Sequence, residues 1–377
     1  MVNSNRIERQ VKKALRGSPL YAPVKLLKEQ MRIAHFSLAQ VTDKVVRPAP
    51  HEVFLSLTAN CNLRCGACSY GRDFMPSHQL PWEVGAKLID DCKELGIGTI
   101  RLYGGEPLLH RDLDKYVERI AHHGLNMYVT TNGLLLDKKI DRLVEAGLKR
   151  VSIGFYGLEE DYDAYVQRPG AFEALSRSLG ATRSRHGADT LPMGLDWLLM
   201  RSTGRPDSVR RTLQFARDHE MQVYINLIHY SLPYFVRPEH ESEQRFWFEE
   251  EDRPILEEVA SILLEEKQRD PGLIRNTERG IRSIPDWLIR KSAMRLPCTS
   301  HDMLWIGPDG TVQMCFVTFK LGSLHEHRLS ELLFNERHRS FARHAFNLKC
   351  PNCNCGYDKR VNLHRPSRTA YATGMNG

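Results

Sequence analysis

The 377-residue chain has no uninterrupted apolar run near the roughly 18 residues that a membrane span requires, and its N-terminus lacks a signal peptide's apolar stretch. It has no low-complexity tract and no internal repeat beyond the strand–helix units described below. Nothing points to export, and nine cysteines is an odd number. Disulfide scaffolding is therefore disfavoured, and metal or redox use of the thiols leads. A cytoplasmic protein is the expectation. What is present is ordinary: 41% apolar and 26% charged residues, the composition of a soluble globular protein. The length suits two or three domains with a core that needs no staples.

The net charge of +7 sits at one end. Residues 1–50 hold ten basic side chains (Arg6, Arg9, Lys12, Lys13, Arg16, Lys25, Lys28, Arg32, Lys44, Arg47) and three acidic ones (Glu8, Glu29, Asp43), so the other residues are neutral overall. The pI of about 8.9 describes an appendage. A nucleic-acid partner is not expected. The basic segment would suit an acidic electron donor of flavodoxin or ferredoxin type, an anionic membrane surface, or the chain's own acidic 239–270 segment.

Ile7, Val11 and Leu15, then Leu27 and Met31, are spaced four apart, which predicts two short amphipathic helices broken by Gly17 to Pro23. Arg47-Pro48-Ala49-Pro50 reads as a linker. Strands are expected at 53–58, 99–103, 126–130, 150–155, 194–200 and 223–229, with helices between them. Six β-α units imply a parallel sheet covered by helices, an open barrel whose site lies at the carboxyl ends of the strands. Ile255, Val259, Ile262 and Leu263 form the apolar face of a helix in the acidic segment. The expected units are a helical extension (1–50), the barrel (51–230), an acidic connector (231–296), a cysteine-bearing module (297–360) and a polar tail (361–377).

Cys61, Cys65 and Cys68 place three thiols within eight residues, just past the first strand. Structural zinc usually takes four ligands, whereas three thiolates suit an iron–sulfur cluster with one iron left open. A buried-thiol loop or incomplete zinc knuckle is the plain alternative. Tyr103-Gly104-Gly105-Glu106-Pro107 ends the second strand; its glycines allow close backbone approach, and Glu106 can accept a hydrogen bond from an ammonium group. Thr130-Thr131-Asn132-Gly133 ends the third strand. Each of these alone is a turn.

Together, in this order on successive strands, the three motifs resemble the radical S-adenosylmethionine (SAM) superfamily over residues 52–230. The resemblance implies a partial (β/α)6 barrel and a 4Fe–4S cluster on Cys61, Cys65 and Cys68. It implies SAM held through Gly104, Gly105, Glu106, Pro107 and Asn132. The implied chemistry is one-electron cleavage of SAM to a 5′-deoxyadenosyl radical that abstracts a substrate hydrogen atom. Two departures stand out. Ala67 replaces the aromatic residue that usually precedes the last cysteine, with Tyr70 as a substitute, and Gly154-Phe155-Tyr156-Gly157 replaces Ser-Leu-Asp-Gly on strand four. Tyr156 is the pocket candidate there.

Cys298, Gly310 and Cys315, followed by Cys350, Cys353 and Cys355, resemble the SPASM extension or its shortened twitch form. That implies one auxiliary 4Fe–4S cluster on Cys298, Cys315, Cys350 and Cys353, with Cys355 as rival ligand. Pro308-Asp309-Gly310 reads as the hairpin turn that joins the first two. On the residues alone, four-cysteine zinc fits equally well. Cys92 reads as a core thiol. Asp196, Arg201, Asn226 and His229 could face the lumen, with Arg201 or Asn226 near SAM or substrate. His122-His123 reads as a surface pair, and His325, His327, His338 and His344 as solvated.

The expectation is a radical SAM oxidoreductase or modifying enzyme acting on a small metabolite such as a sugar, aminocyclitol, nucleotide or lipid precursor. A SPASM-type peptide maturase is the alternative, disfavoured by an extension too short for a peptide-recognition domain. A non-catalytic iron–sulfur or zinc protein is the more distant one.

Overall fold

A computed structural model of the chain describes residues 18–231, 246–316 and 318–372. Helix α1 (Tyr21–Val41) leads into β1 (Glu52–Thr58), and strand and helix then alternate. The units are α2 (Trp82–Glu94), β2 (Thr99–Gly104), α3 (Leu113–His122), β3 (Asn126–Thr131), α4 (Leu136–Glu145) and β4 (Val151–Phe155). Two helices, α5 (Glu159–Val166) and α6 (Ala171–Arg185), precede β5 (Met193–Leu199), and α7 (Pro206–Asp218) precedes β6 (Gln222–Leu227). The expected strands and helices all form, within one or two residues at their ends. Residues 7, 11 and 15 and the start of the acidic segment lie outside the described residues.

The alternation of side chains in the strands sets the layers. Val53, Leu55 and Leu57, Ile100 and Leu102, and Leu195 and Trp197 are wholly buried against the helices. Their neighbours Phe54, Arg101, Tyr103, Tyr128, Asp196, Tyr224 and Asn226 occupy the opposite face, which curls into the lumen and is only partly covered. Strands β1 to β6 are parallel and consecutive. At the open edge, β6 is covered by irregular chain: Val223 N–H donates to Leu273 O and Arg275 N–H to Val223 O. A covered edge offers no template for stray pairing.

The C-terminal part is joined to this sheet. Helices α8 (Arg253–Arg269), α9 (Glu278–Arg282) and α10 (Ile284–Arg290) lead to β7 (Met303–Ile306), β8 (Thr311–Gln313) and β9 (Lys320–Ser323). Strand β7 pairs in parallel with β1, from Glu52–Met303 to Leu55–Ile306, and β8 and β9 follow as antiparallel hairpins. The result is one nine-stranded sheet with β1 near its middle. Gly310, at φ +76°, makes the expected turn, with Asp309 Oδ1 accepting from Thr311 N–H. Helices α11 (Leu329–Leu332), α12 (Glu336–Phe346), α13 (Tyr357–Leu363) and α14 (Arg365–Ala370) complete the chain.

Four local expectations need correction. The second N-terminal helix is 21 residues long, with Pro23 in its first turn. There proline costs little, because the N–H groups have no partners within the helix. Its packed face is Ile33, Phe36 and Ala39, while Leu27 and Met31 are exposed. Ile255 is exposed too, and Leu256 takes its place on the buried face of α8. The polar tail is folded as far as residue 372: Val361, Leu363 and Ser367 are buried, and Tyr371 Oη donates to Asp286 Oδ2 at 2.5 Å. His338 is fully buried, its Nδ1 accepting from Phe334 N–H at 3.1 Å, and burial pushes its pKa down to about 4.

The C-terminal part is also pinned to the first barrel helix. The Asp91 carboxylate on α2 is almost wholly buried and accepts from the Arg328 guanidinium and from Leu329 N–H at 2.9 Å. Arg328 is half exposed, so removing the carboxylate chiefly leaves the buried Leu329 N–H without its acceptor. Asp91→Ala should lower stability by about 1–3 kcal/mol, read as an earlier midpoint in guanidinium denaturation. An unchanged midpoint would show that the clasp contributes nothing.

Candidate functional site

The first three thiols lie on the loop that leaves β1. Cys68 N–H donates to Cys65 O at 3.1 Å, closing a turn, and Arg72 donates to the carbonyls of both Cys65 and Cys68. Arg64 and Gly66 N–H groups donate to Val166 O and Tyr165 O, tying the loop to the end of α5. Burial pushes the Cys65 and Cys68 thiols up, and Cys65 is raised further by the nearby Cys68 and Cys61 thiols. Three thiols on one turn, Cys61 exposed and Cys65 and Cys68 partly buried, fit an iron–sulfur cluster, which would draw off their protons.

The next two motifs close around that loop. Gly105 N–H donates to Thr58 O and Glu106 N–H to Asn60 O, so the second strand's end continues alongside the cysteine loop. A Cβ on Gly104 would stand 2.3 Å from the Thr58 carbonyl oxygen, and one on Gly105 2.4 Å from that of Asn60. The close approach the glycines permit is thus, in the first instance, to the loop backbone. Glu106 is wholly buried and cross-links the motifs. Its Oε1 accepts from Leu108 N–H (2.9 Å) and Thr131 Oγ1 (2.7 Å), and Oε2 accepts from Asn132 N–H (2.8 Å). A carboxylate has about four acceptor sites, so one stays available to a ligand's ammonium group. Asn132 in turn donates to Asn62 Oδ1 at 2.8 Å, inside the cysteine loop.

The remaining candidates scatter. Tyr156 folds its ring toward Gly154, stacks on Tyr165 at 4.8 Å and lies close enough to Cys65 and Cys68 for their charge to act on it. Tyr70 packs on Ala59 and Trp305 beside Cys68, its hydroxyl against Ser56. Arg201 is ion-paired with Asp252 at 2.9 Å, at the start of α8. Asn226 stands half-buried on the lumen face of β6. Asp196 meets Arg101 at 3.5 Å. Arg101, missed in the sequence, also donates to Thr130 Oγ1 and lies over the rings of Phe54, Tyr103 and Tyr128. Its signal was the polar step between Ile100 and Leu102.

Five cysteines share the second site. Cys298, Cys315, Cys350, Cys353 and Cys355 line one small cavity with Met303, Phe316 and Phe319. Cys353 and Cys355 are hydrogen-bonded to each other, which pulls the Cys353 thiol down and pushes Cys355 up. Cys355 Sγ also lies 3.9 Å from His229 Nδ1 at the end of β6. Asn354 anchors this loop by donating to Leu227 O and Ile228 O. Arg360, another residue missed, is wholly buried beneath it, donating to Cys353 O, Leu296 O and Asn352 Oδ1 over the Trp287 ring. Among the described residues, no three His, Cys, Asp or Glu side chains converge as a single metal ion would require.

An aromatic block lies between the two sites. Tyr70, Trp305 and Ala59 pack together, touching Cys68 and Phe74 on one side and Met303 and Phe316 of the second cavity on the other. Trp305 Nε1 donates to Tyr103 Oη.

Family models match both halves of this arrangement: the radical SAM superfamily over residues 55–228, and SPASM, an iron–sulfur cluster-binding domain, over 298–354. The chain carries a radical SAM domain and a C-terminal SPASM domain. The first match implies a 4Fe–4S cluster and SAM as that domain's cofactors, and the second implies auxiliary iron–sulfur in the C-terminal domain. The chain is similar to GTP 3′,8-cyclase of Chlorobaculum tepidum, 32% identical over 48% of this chain and 54% of that one. The corresponding protein of Staphylococcus saprophyticus is 37% identical over 32% and 38%. The chain thus spans about half, or less, of the curated relatives it matches. In fold it resembles anSMEcpe with bound AdoMet (TM-score 0.61, 16% identity, covering 85% of this chain and 96% of that one). It also resembles Streptococcus suis SuiB bound to the precursor peptide SuiA (TM-score 0.58, 11% identity, covering 82% and 70%).

In the radical SAM domain, Glu106 carries a measurable signature. Burial pushes its pKa from 4.5 to about 7, against the three hydrogen bonds that favour its anion. Between those values the folded chain holds a proton that the unfolded chain has lost. Stability should therefore fall as pH rises from about 4.5 to about 7. Denaturation midpoints across that range, with Glu106→Gln as a reference whose dependence is flatter, check this.

Proposed function

We propose that the chain cleaves SAM reductively and abstracts a hydrogen atom from a small metabolite: a sugar, aminocyclitol, nucleotide or lipid precursor. One observation carries this reading: the cysteine loop, the Gly-Gly-Glu-Pro turn and the Thr-Asn-Gly turn meet at the strand ends and are locked together by Glu106. When bound, the cluster and SAM supply the one-electron cleavage and the hydrogen abstraction. The chain's own residues position and shelter. Cys61, Cys65 and Cys68 would hold the first cluster. The spare acceptor site of Glu106 would orient the methionine ammonium beside Gly104, Gly105 and Pro107, and Asn132 and Tyr156 would line the same mouth. Cys298, Cys315, Cys350 and Cys353 would hold the auxiliary cluster, with Cys355 as rival ligand. The Tyr70–Trp305 block keeps water from the space between them.

The small-metabolite reading draws support from sequence similarity, which at 32–37% identity is to enzymes named as GTP cyclases. Likeness to the peptide-bound SuiB is one of fold. A peptide maturase is the second reading, favoured by the SPASM domain. A flavodoxin or ferredoxin would supply the electron, and the cytoplasm is the compartment that fits such a donor. No helix among the described residues is long and apolar enough to cross a membrane.

Anaerobic reconstitution with iron and sulfide, followed by reduction with SAM, should release 5′-deoxyadenosine. Intact clusters without that product would overturn the enzyme reading. Changing Cys61, Cys65 and Cys68 to Ala should abolish the product. Changing Cys298 and Cys315 to Ala should leave the first cluster's spectrum and remove the second's. One equivalent of bound zinc in the native chain would overturn the auxiliary cluster.

A further inference from the structure

Helix α1 carries an apolar stripe on the side turned away from the body. Leu20, Leu27, Ala34 and Val41 alternate with Val24, Met31 and Leu38 at steps of four and three residues, an unbroken repeat of seven. At 100° per residue the stripe runs opposite Ile33, Phe36 and Ala39, which dock on the body. Among the described residues nine large apolar side chains are exposed, and six of them stand on this stripe. Leu20, Leu27 and Met31 are each more than 60% exposed. A stripe of this length is seldom left in water without a partner.

The period of the stripe selects the partner. A helix laid on a broad apolar surface presents a wide apolar face, whereas a strict repeat of seven makes the narrow seam of a coiled coil. Written as a heptad, Val24, Met31 and Leu38 take the a positions, and Leu20, Leu27, Ala34 and Val41 the d positions, over three full heptads. Such a seam takes another helix of the same period. The flanking e and g positions decide whose helix it is, because complementary charges there specify a different chain. Here e holds Tyr21, Lys28 and His35, and g holds Pro23, Gln30 and Ser37, with Lys28 the one formal charge among them. Flanks of this kind carry no signature for a different charged partner and no block of charge to repel an identical one. Lys25 and Arg32 fall at b positions, directed away from the seam, so they do not oppose pairing. The six exposed stripe residues offer on the order of 700 Å² per copy, against roughly 800 Å² per partner in a standard stable interface.

We propose that two copies of the chain pair through α1 in a two-stranded coiled coil. Each helix brings the same seam, so the contact is isologous and closes at two copies. The Leu27 and Met31 layers form its centre, and each body stays docked behind its own helix through Ile33, Phe36 and Ala39. The cysteine sites take no part in this contact, so the inference stands apart from the proposed chemistry.

The test is sedimentation velocity on the full chain. At micromolar concentration it should run at twice its 43.4 kDa mass, and raised salt should not dissociate it, because the seam is apolar. Leu27→Gln with Met31→Gln alters side chains that are exposed in the single chain. That change should keep the denaturation midpoint and 5′-deoxyadenosine formation while weakening the dimer about a hundredfold or more. Ala34→Leu fills the small d position and should tighten the dimer about tenfold, a gain that damage to the fold cannot produce. Lys25→Gln with Arg32→Gln, away from the seam, should leave it unchanged. A wild-type chain that stays at 43.4 kDa throughout the micromolar range overturns the proposal. So does a dimer unmoved by the Leu27/Met31 change, or one broken by the Lys25/Arg32 change. A monomeric wild-type chain that instead sediments with phosphatidylcholine vesicles would assign the stripe to a bilayer and overturn it too.

Discussion

Strand β1 is paired along both edges, with β2 on one side and β7 on the other, in the same parallel direction. That shared strand is the constraint on which both cysteine sites depend. Its carboxyl end launches the first cysteine loop, and β7, paired with it residue by residue, opens the hairpin that separates Cys298 from Cys315 in the second set. The two domains therefore meet through a continuous hydrogen-bond ladder, stiffer than a packing contact between separate units. The aromatic block of Tyr70, Trp305 and Ala59 sits where that ladder turns into the lumen.

Around this frame, two buried charged groups organise loops that have little regular structure of their own. Glu106 gathers the ends of β2 and β3, and Arg360 gathers the Cys353 loop, the chain near Leu296 and the ring of Trp287. Each is costly to bury and each makes three hydrogen bonds to separate segments, so each holds its loop in one arrangement. Pre-set loops matter for a site that must keep reactive chemistry away from water.

The barrel was readable because its strands alternate with helices at regular spacing and carry their apolar residues on alternate positions. The three motifs were readable because each occupies the end of its own strand. The long-range partners were not. Nothing local marks Asp91 as the seat of Arg328, Glu106 as the acceptor for Asn132 N–H, or Arg360 as a buried strut. Arg201 illustrates the limit from the other side: its position at the end of β5 suggested the lumen, yet Asp252, 51 residues later, takes its guanidinium. In α1 the spacing of Leu27 and Met31 predicted a helix, but Ile33, Phe36 and Ala39 are the residues that dock. A helix docked at one end by Ile33, Phe36 and Ala39 is set by what the body offers there, which periodicity alone does not contain.

By itself, the amino-acid sequence determined the strand–helix order, the cysteine spacings and the concentration of charge in the first 50 residues. These are properties of neighbouring residues and of backbone periods. Only the tertiary structure decided that the two cysteine sets hang from one sheet, that Cys355 shares the cavity of Cys298, Cys315, Cys350 and Cys353, and that the apolar stripe of α1 faces outward. Those outcomes rest on strand pairing and burial between segments far apart in the chain. The chain's closing region illustrates why: Arg368 reaches back to Glu29, 339 residues away, and no local pattern encodes that distance.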